Sequence, residues 1–412
     1  MKRALLVTFF VALTISCTAA SARRNFLRVE GTAVVDARGN KFHIRGTNLG
    51  CWLNPEGYMF HFPAQAASAS TIEEGLEQLA GPEYMRNFWA GYVNGFITER
   101  DIEFLASSGV NTLRLPLHWK MFTDDKYLCF GPASDGYALV DKVVLWCKKA
   151  GIRLILDMHC CPGGQTGDNI DDSNGYPWLF RDAVSQDLLT DIWVKIARRY
   201  HKEPVILGYD FMNEPVAHYF DDKEELYGLC AALYQRLCRE VSKVDRNHIL
   251  IIGGVNWNGK FTPYEGMDFG KNVMFQCHIY KCPPSEGSIR SFLRFRDLSG
   301  KPMYMGETGE NTDQWVEDFR KTMDNADMGW TFWTYKKLDN PRGFVSIPRP
   351  EGWEKVCDFL AADRSSFAAI REAREAAGDL RPVLDAYLEN LSFDNCVINK
   401  TYIRALDFDP DK

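Results

Sequence analysis

Short apolar runs alternate with amphipathic stretches along most of this sequence. The amphipathic stretches, such as 101–109, 140–151 and 224–244, carry apolar residues at helical spacing. Because each of them precedes the next apolar run, the pattern predicts strands and helices in alternation. The predicted strands are FHIRG (42–46), TLRLPL (112–117), RLILDMH (153–159), VILGYDF (205–211), HILIIGG (248–254), VMFQCHIY (273–280), PMYMGE (302–307) and WTFWTY (330–335).

Most of these runs are continuously aliphatic or β-branched and do not alternate between apolar and polar residues. Strands of that kind are buried on both faces, as in parallel sheets covered by helices. Eight of them are the number that closes a (β/α)₈ barrel, so we predict an α/β protein with a single TIM-barrel domain over residues 23–412. The segment before the first strand predicts a β-hairpin, with its turn at Gly39-Asn40, across the bottom of the barrel.

Two predicted βα connections are long. The insertion at 54–94 follows the first strand, and a loop that ends in Tyr176-Pro177-Trp178 follows the third. Long βα loops shape the substrate cleft of a barrel, and we expect these two to wall off one end of it. The alternative is that their aromatic residues form a small core of the loops themselves. Those of the insertion are Tyr58, Phe60, His61, Phe62, Trp89 and Tyr92.

Charge and the N-terminal segment bear on partners and location. The net charge of −7 offers no basic surface for nucleic acid. Lys2 and Arg3 precede an apolar stretch at 4–15 and the motif Ala20-Ser21-Ala22, which predicts a signal peptide over residues 1–22 and a secreted or periplasmic protein. Lipid attachment at Cys17 is the alternative. We predict no transmembrane segment after it, and a monomer.

The chain has 12 cysteines, of which Cys17 lies in the predicted signal peptide. The odd number that is left cannot pair completely, and a core of this size needs no disulfides. Most of the cysteines are therefore predicted to be small buried residues. Two pairings, Cys277 with Cys282 and Cys357 with Cys396, are left open by the sequence.

Polar and aromatic residues stand at the carboxyl end of nearly every predicted strand. Each alone has a structural explanation, since a lone histidine or tryptophan usually belongs to a core. Their accumulation at one end of separate strands indicates a function, because that end forms the catalytic face of a barrel. They are Asn48, Trp52, Glu56, Arg114, His118, Trp119, His159, Asn213, Glu214, His278, Tyr280, Glu307 and Trp333.

Two glutamates of this set can perform the chemistry. Glu214 follows the apolar run VILGYDFM in Asn213-Glu214-Pro215, and Glu307 follows PMYM. Glycoside hydrolysis needs such a pair of carboxylates, because one protonates the leaving oxygen while the other attacks the sugar or activates water. No metal or cofactor is predicted, since the glycine-rich loop 163–167 lacks the P-loop lysine and no cysteine or histidine spacing fits zinc.

As a set, these motifs resemble glycoside hydrolase family 5, with catalytic glutamates on the fourth and seventh strands. The resemblance covers about residues 42–335. The segment RGTNLGCWLNPEG and the loop CCPGGQTGDN are most similar to the exo-β-1,3-glucanase branch. The matching motifs are Arg114 in TLRLP, His159 in LDMH, Asn213-Glu214-Pro215, His278 and Tyr280 in HIY, Glu307 in MGE and Trp333 in TFW.

The resemblance implies roles at the reacting bond. Glu307 would be the nucleophile, and Glu214 would act first as the general acid and then as the base. Arg114 and Tyr280 would keep Glu307 ionised and aligned. Asn213 would bind the 2-hydroxyl group of the sugar.

The resemblance also implies substrate-binding roles for His159, His278, Trp333 and Glu56. The histidines would bind the same sugar or orient the carboxylates, Trp333 would form a floor beneath it, and Glu56 would accept from outer hydroxyl groups. The implied function is a retaining β-glycosidase that acts on a β-glucan or β-glucoside without a cofactor, in an exo manner. A β-mannanase, an endo-β-glucanase, an aryl or lipid glycosidase and an inactive carbohydrate-binding barrel are the alternatives.

Overall fold

The computed structural model describes residues 25–412, and the predicted signal peptide and Cys17 lie outside this range. Eight parallel strands close into a barrel in the order β10-β3-β4-β5-β6-β7-β8-β9. This confirms the predicted (β/α)₈ barrel. The barrel strands are β3 (Arg45–Asn48), β4 (Thr112–His118), β5 (Arg153–Cys160), β6 (Ile206–Asp210), β7 (Ile249–Gly253), β8 (Val273–His278), β9 (Met303–Glu307) and β10 (Trp330–Phe332).

The first and last barrel strands differ from their predicted bounds. β3 begins three residues later than predicted, because Ile44 packs into the apolar cluster at the bottom of the barrel before pairing starts at Arg45. β10 ends at Phe332, so Trp333 follows the strand and does not lie within it. The next residues, Lys336–Leu338 (β11), leave the barrel for a separate three-stranded sheet with Val345–Ile347 (β12) and Val397–Ile398 (β13).

The N-terminal hairpin pairs β1 (Arg28–Glu30) with β2 (Ala33–Val35), and its turn is Gly31-Thr32. The prediction that Gly39-Asn40 forms the hairpin turn was wrong. Gly39 and Asn40 belong to a second turn, which is followed by an isolated bridge between Val35 and Lys41. The predicted place of the hairpin is confirmed. Apolar residues of the N-terminal segment pack with barrel residues in one cluster, Leu27, Val34, Ile44, Ile155, Leu207, Ile249, Ile251, Met274 and Tyr304.

Helices surround the barrel, and three of them carry most of the long first βα connection. Between β7 and β8, in contrast, the chain forms only the helical turn Val255–Asn258 and a 3₁₀ turn. The α-helices are α1 (Ala69–Ala80), α2 (Pro82–Phe96), α3 (Glu99–Ser108), α4 (Ala133–Ala150), α5 (Ala183–Tyr200), α6 (Lys223–Ser242), α7 (Glu286–Ser299), α8 (Asp313–Asn325), α9 (Trp353–Ala361), α10 (Phe367–Ala377), α11 (Arg381–Asn390) and α12 (Lys400–Ala405).

The eleven cysteines of residues 25–412 are all free thiols, including the pairs Cys277–Cys282 and Cys357–Cys396 that the sequence left open. Most of them are buried, as predicted. Over the same residues, the model contains no helix that is both long enough and apolar enough to cross a membrane.

Candidate active site

A cavity of about 580 Å³ opens at the carboxyl ends of the barrel strands. The loops that follow β3, β5, β6, β7, β8 and β9 all contribute to its wall. Eight of the nine site residues predicted from the sequence line it, and the ninth, Arg114, contacts Glu307 and Asn213 of the lining. The lining residues are Glu56, Tyr58, His159, Asp168, Ile170, Asn213, Glu214, Asn256, Trp257, Gly259, His278, Ile279, Tyr280, Lys281, Glu307, Glu310 and Trp333.

Glu307, the last residue of β9, is held at both of its carboxylate oxygens. Arg114 donates from Nη1 to Oε1 at 2.7 Å, and the hydroxyl of Tyr280 donates to Oε2 at 3.1 Å. Burial raises the pKa of Glu307, while the charge of Arg114 opposes that rise. The carboxylate is therefore oriented and charge-compensated at the floor of the cavity, which is the predicted environment of Glu307.

Arg114 is completely buried and contacts two further carboxylates that the sequence analysis did not select. Its Nε donates to Oδ2 of Asp210 at 2.9 Å, and Nη2 lies 2.9 Å from Oδ1 of Asp157. Burial raises the pKa of each aspartate to about 7, and Arg114 opposes the rise. Their sequence signal is a carboxylate inside a run that is otherwise apolar, LILDMH in β5 and LGYDF in β6.

Glu214 lies four residues beyond the end of β6, in a left-handed backbone conformation with φ of 47°. Such a conformation strains a non-glycine residue and persists only where its surroundings enforce it. The loop after β5 does so, because Thr166 donates from Oγ1 to the carbonyl oxygen of Glu214 at 2.8 Å and Gln165 accepts from the amide of Val216 at 2.8 Å. The carboxyl group is thereby aimed into the cavity.

The carboxyl group of Glu214 contacts His278, whose Nδ1 lies 2.7 Å from Oε1. Burial, and then the charge of Glu307, raise the pKa of Glu214 well above its ordinary value. Burial lowers the pKa of His278 well below its ordinary value. The site therefore favours a protonated Glu214 beside a neutral imidazole.

Glu214, His278 and Glu307 offer donor atoms within 4.8 Å of one another. Among residues 25–412, this is the one cluster of at least three such side chains that is compact enough to hold a metal ion. Arg114 and Tyr280 already donate to both oxygens of Glu307 and would compete with a cation for them. The arrangement suits a pair of carboxylates that share one charge better than it suits a metal site.

His159 and Asn213 form one hydrogen-bonded unit at the floor of the cavity. Nδ1 of His159 lies 2.7 Å from Oδ2 of Asp157, and its Nε2 lies 3.3 Å from Nδ2 of Asn213. Burial lowers the pKa of His159 to about 3, so the ring is neutral and Nδ1 donates to Asp157. Asn213 accepts from Arg114 at 2.8 Å, which leaves its second amide hydrogen free to face a ligand.

Trp333 stacks on His159 with ring centroids 5.5 Å apart, and its Nε1 donates to the hydroxyl of Tyr58 at 2.8 Å. Glu56 lies nearby, is 4% exposed, and its Oε1 has no hydrogen-bond partner in the part of the chain that the structure describes. A buried oxygen without a donor carries an energetic cost that a ligand hydroxyl can remove. The predicted position of Glu56 in the binding wall therefore agrees with its geometry.

Several residues near the strand ends do not line the cavity. Asn48 bonds to Arg114 from below, Trp52 donates to the carbonyl oxygen of Val93 within the core, and His118 contacts Asp172. The sequence analysis missed Trp257 and Glu310, which line the cavity, and Lys337, which pairs with Glu310. Lys337 is buried, pairs with Glu310 and lies over the ring of Tyr58, but its run KKL offers no signal of this in the sequence.

The two long loops, which were predicted to wall off one end of the cleft, contact each other. Asn54 donates to the carbonyl oxygen of Ile170 at 3.1 Å, and Ser70 donates from its amide and its hydroxyl to Asp172 at 2.8 and 2.6 Å. Most aromatic residues of the insertion are buried, as the alternative proposed, but in a core shared with the C-terminal helices. Phe60, Phe62 and Tyr92 pack against Trp353 and Tyr387, and Trp89 packs against Tyr92, whereas Tyr58 lines the cavity.

Comparisons with known proteins agree with this geometry. A cellulase family model (glycosyl hydrolase family 5) matches residues 35–339. The chain is 27% identical to a β-xylosidase of Phanerodontia chrysosporium over 378 residues, which are 82% of this chain and 76% of that protein. It is also 27% identical to a probable glucan 1,3-β-glucosidase A of Aspergillus clavatus over 327 residues, 74% of each. An endoglucanase C of Acetivibrio thermocellus is 24% identical over 306 residues, 59% of this chain and 85% of that protein.

Similar crystal structures include an endogalactoceramidase, with a TM-score of 0.58 and 20% identity over 82% of this chain and 78% of that one. The catalytic domain of a Thermobifida fusca endoglucanase gives a TM-score of 0.52 and 14% identity over 86% and 98% of the two chains. Because the sequence identities are this low, these two structures support the barrel fold alone. The family model, however, spans most of the sequence and every residue of the predicted site, and on that ground the chain belongs to glycosyl hydrolase family 5.

Proposed function

We propose that this chain is a retaining β-glycosidase that hydrolyses O-glycosidic bonds by double displacement. The observation that carries the proposal is the proximity of Glu214 and Glu307, whose nearest ligand atoms lie within 4.8 Å of each other. Retaining glycosidases hold their carboxyl groups about 5–5.5 Å apart, whereas inverting enzymes leave about 6.5–9.5 Å for a water molecule. The separation here favours direct attack on the sugar.

In the first step, Glu307 attacks the anomeric carbon as the glycosidic bond breaks, and Glu214 protonates the leaving oxygen. Arg114 and Tyr280 support this role of Glu307, because both hydrogen-bond its carboxylate and neither blocks the cavity. The raised pKa of Glu214 supports its role as the acid, because the group keeps its proton while Glu307 is ionised.

In the second step, Glu214 accepts a proton from water while the water oxygen attacks the glycosyl ester of Glu307. Ester formation removes the negative charge of Glu307, which is the second-largest cause of the raised pKa of Glu214. The pKa of Glu214 therefore falls after the first step, and the group is ready to act as a base. The product keeps the β-configuration.

Four further residues would bind the sugar at the cleavage point. Asn213 has a free amide hydrogen for the 2-hydroxyl group, and His159 is held beside it. Trp333 offers an indole face, which suits the apolar face of a sugar ring. Glu56 supplies an unpartnered carboxylate oxygen for an outer hydroxyl group.

We propose a β-glucan or β-glucoside as substrate and exo cleavage as the mode. The glucan 1,3-β-glucosidase relative supports this choice, and so does the wall formed where the loops after β3 and β5 bond to each other. The β-xylosidase and endoglucanase relatives suggest two alternatives, a β-xyloside substrate and endo cleavage, and a substrate screen would distinguish them. The predicted signal peptide supports secretion.

Trapping with a 2-deoxy-2-fluoro β-glycoside tests the proposal. The fluorine slows hydrolysis of the glycosyl-enzyme, so mass spectrometry of a digest should find the label on Glu307. Early-time NMR of the unlabelled reaction should show the β-anomer as the first product. A label on another residue would overturn the assignment of Glu307, and an α-anomer would overturn the retaining mechanism.

A further inference from the structure

Behind the pair Glu214–His278 lies a buried chain of hydrogen-bonding groups. Gln276 is two residues before His278 on β8, and both side chains enter the barrel interior. Oε1 of Gln276 lies 2.8 Å from Nε2 of His278. Its Nε2 donates to Oδ1 of Asp210 at 3.2 Å. The chain therefore runs from Asp210 through Gln276 and His278 to the carboxyl group of Glu214.

Asp210 determines which group donates and which accepts in each of these hydrogen bonds. Arg114 donates to Oδ2 of Asp210 at 2.9 Å, and the two groups form a buried ion pair. A carboxylate can only accept, so the amide nitrogen of Gln276 must face it and the amide oxygen must face His278. An oxygen that faces Nε2 at 2.8 Å requires a hydrogen on that nitrogen.

We propose that Gln276 is a positioning residue that fixes His278 as the neutral tautomer with its hydrogen on Nε2, so that Nδ1 accepts the acid proton of Glu214. The proposal rests on the proposed function of Glu214 as the general acid. A hydrogen bond that only the protonated carboxyl group can make favours that form. Gln276 thereby helps to keep Glu214 protonated at a pH where Glu307 is ionised.

Two neighbours of His278 agree with this tautomer. Nδ2 of Asn258 lies 3.2 Å from Nε2 of His278, while the buried Oδ1 of Asn258 has no partner among the described residues. Turning that amide by 180° places its oxygen against the N–H of His278 and satisfies the buried atom. On the other side, a Cβ at Gly306 would lie 2.0 Å from Oε1 of Gln276 and 3.0 Å from Nε2 of His278, so the glycine makes room for the contact.

The charged surroundings do not supply a proton for the second nitrogen of His278. The groups that face Glu214 and His278 are Glu307, which lies 3.6 Å from Nδ1 of His278, together with Arg114, His159, Asp157, Glu56 and the hydroxyl of Tyr280. Burial and the charge of Arg114 disfavour the imidazolium and lower the pKa of His278. Only the two neutral tautomers remain, and the amide of Gln276 selects between them.

The first test measures the tautomer in the wild-type enzyme by ¹⁵N NMR of protein labelled at histidine. The signals of His278 are assigned by their loss in His278→Asn. The Nδ1 signal should lie downfield, as expected for an unprotonated nitrogen. The Nε2 signal should lie upfield of it, as expected for a protonated nitrogen. A hydrogen on Nδ1 would overturn the proposal without any variant of Gln276 having to fold.

The second test compares Gln276→Met with the control variant Gln186→Met. Gln186 is a half-buried glutamine on α5 that does not line the cavity, and its side chain donates to the carbonyl oxygen of Leu179. In Gln276→Met, the Nε2–H tautomer should lose its preference, and the alkaline limb of kcat/KM for an unactivated glucoside should move down by about one pH unit. Gln186→Met should change neither.

Failure of this inference can be told apart from failure of the proposed function. If Gln276→Met leaves both the tautomer and the alkaline limb in place, Gln276 does not position His278, whatever Glu214 does. If Glu214 is not the acid, the wild-type tautomer is still observed, but Gln276→Met affects unactivated and 2,4-dinitrophenyl glucosides alike. If Gln276→Met loses activity on the unactivated glucoside alone, the result supports both the role of Gln276 and that of Glu214.

Discussion

The guanidinium of Arg114 donates to Oε1 of Glu307 at 2.7 Å while it also contacts two other buried carboxylates, those of Asp157 and Asp210. One cation thus faces three acids, of which Asp157 and Asp210 are completely buried and Glu307 is 5% exposed. Burial raises the pKa of all three acids, and Arg114 opposes the rise in each. The ionisation of Glu307 therefore depends on Arg114.

Replacing Arg114 by methionine should destabilise the protein and shift its activity profile. Removing one partner of a buried ion pair costs about 3–5 kcal/mol, because the remaining charge has no partner. Glu307 should then ionise at higher pH, so the acid limb of kcat/KM should move upward. Urea unfolding and a pH–rate profile measure the two effects. Arg181→Met, at an exposed cluster with Asp222 and Glu225, is the control and should change neither. An unmoved acid limb would contradict the role of Arg114.

Replacing Glu214 by alanine should affect substrates according to their leaving groups. An acidic aryl leaving group departs without a proton, so the first step should stay fast and the glycosyl-enzyme should accumulate. An unactivated glucoside should lose at least about 10²-fold in kcat/KM, the least that a general acid contributes. Steady-state kinetics on both substrates give the comparison, and an equal loss on both would remove Glu214 from the acid role.

The limbs of the pH–rate profile should belong to the two glutamates and not to histidine. Burial lowers the pKa of His159 to about 3, and burial also lowers the pKa of His278 well below its ordinary value. Neither ring should gain or lose a proton near neutral pH. The alkaline limb should therefore survive in His159→Gln, although activity falls because a sugar contact is lost. Disappearance of that limb in the variant would assign it to His159.

Stability should fall with rising pH partly because of Glu73 on α1. Burial raises its pKa from 4.5 to about 7, and its carboxyl oxygen accepts from the amide of Leu128 at 2.8 Å. An acid whose pKa is raised in the folded state contributes its full stability below the unfolded value, and that contribution is lost as the pH rises through the folded value. The window for Glu73 therefore lies between pH 4.5 and about 7.

Glu73→Gln should accordingly match the wild type at pH 4 and be more stable at pH 8, by on the order of 2 kcal/mol. The glutamine keeps the oxygen that accepts from Leu128 and cannot ionise. Chemical unfolding at the two pH values gives the difference. Glu74→Gln, at an exposed residue on the same helix, is the control and should not reproduce the gain at pH 8. An equal effect of Glu73→Gln at both pH values would argue against a buried, titrating Glu73.

The barrel and most of its site were predictable because each rests on a local signal. Eight apolar runs set the strands, and residues at their carboxyl ends, such as Glu307 and His159, must face the same side once the barrel closes. The errors lie where tertiary contacts override local pattern. Ile44 reads as part of a strand but packs against the floor of the barrel, and Trp333 reads as part of the last strand but follows it.

Other parts of the site were out of reach of the sequence because they depend on pairs of residues far apart in the chain. Lys337 meets Glu310 and the ring of Tyr58 only after β11 has left the barrel. The role of Gln276 depends on its hydrogen bonds to Asp210 on one side and His278 on the other. The run KKL gives no signal for Lys337, and the only signal for Gln276 is an amide inside the otherwise apolar run VMFQCH.

Exo cleavage depends on whether the joined loops close one end of the cavity to a long glucan chain. The loop after β3 bonds to the loop after β5 at two places, Asn54 with Ile170 and Ser70 with Asp172, and the side chain of Asp172 is 2% exposed. If these contacts close one end of the cavity, it would admit a chain end and exclude the middle of a chain.

On a soluble β-glucan, the wild-type enzyme should release mono- or disaccharides while viscosity falls slowly relative to the reducing sugar formed. Asp172→Ala removes both bonds from Ser70 and should loosen the wall, so viscosity should fall faster for the same amount of sugar released. Asp168→Ala, on the same loop but without a bond to the insertion, serves as the control and should keep the wild-type relation. A steep early drop in viscosity with the wild-type enzyme would mean that the cleft is open at both ends, and the proposed exo mode would then be wrong even though the two loops touch.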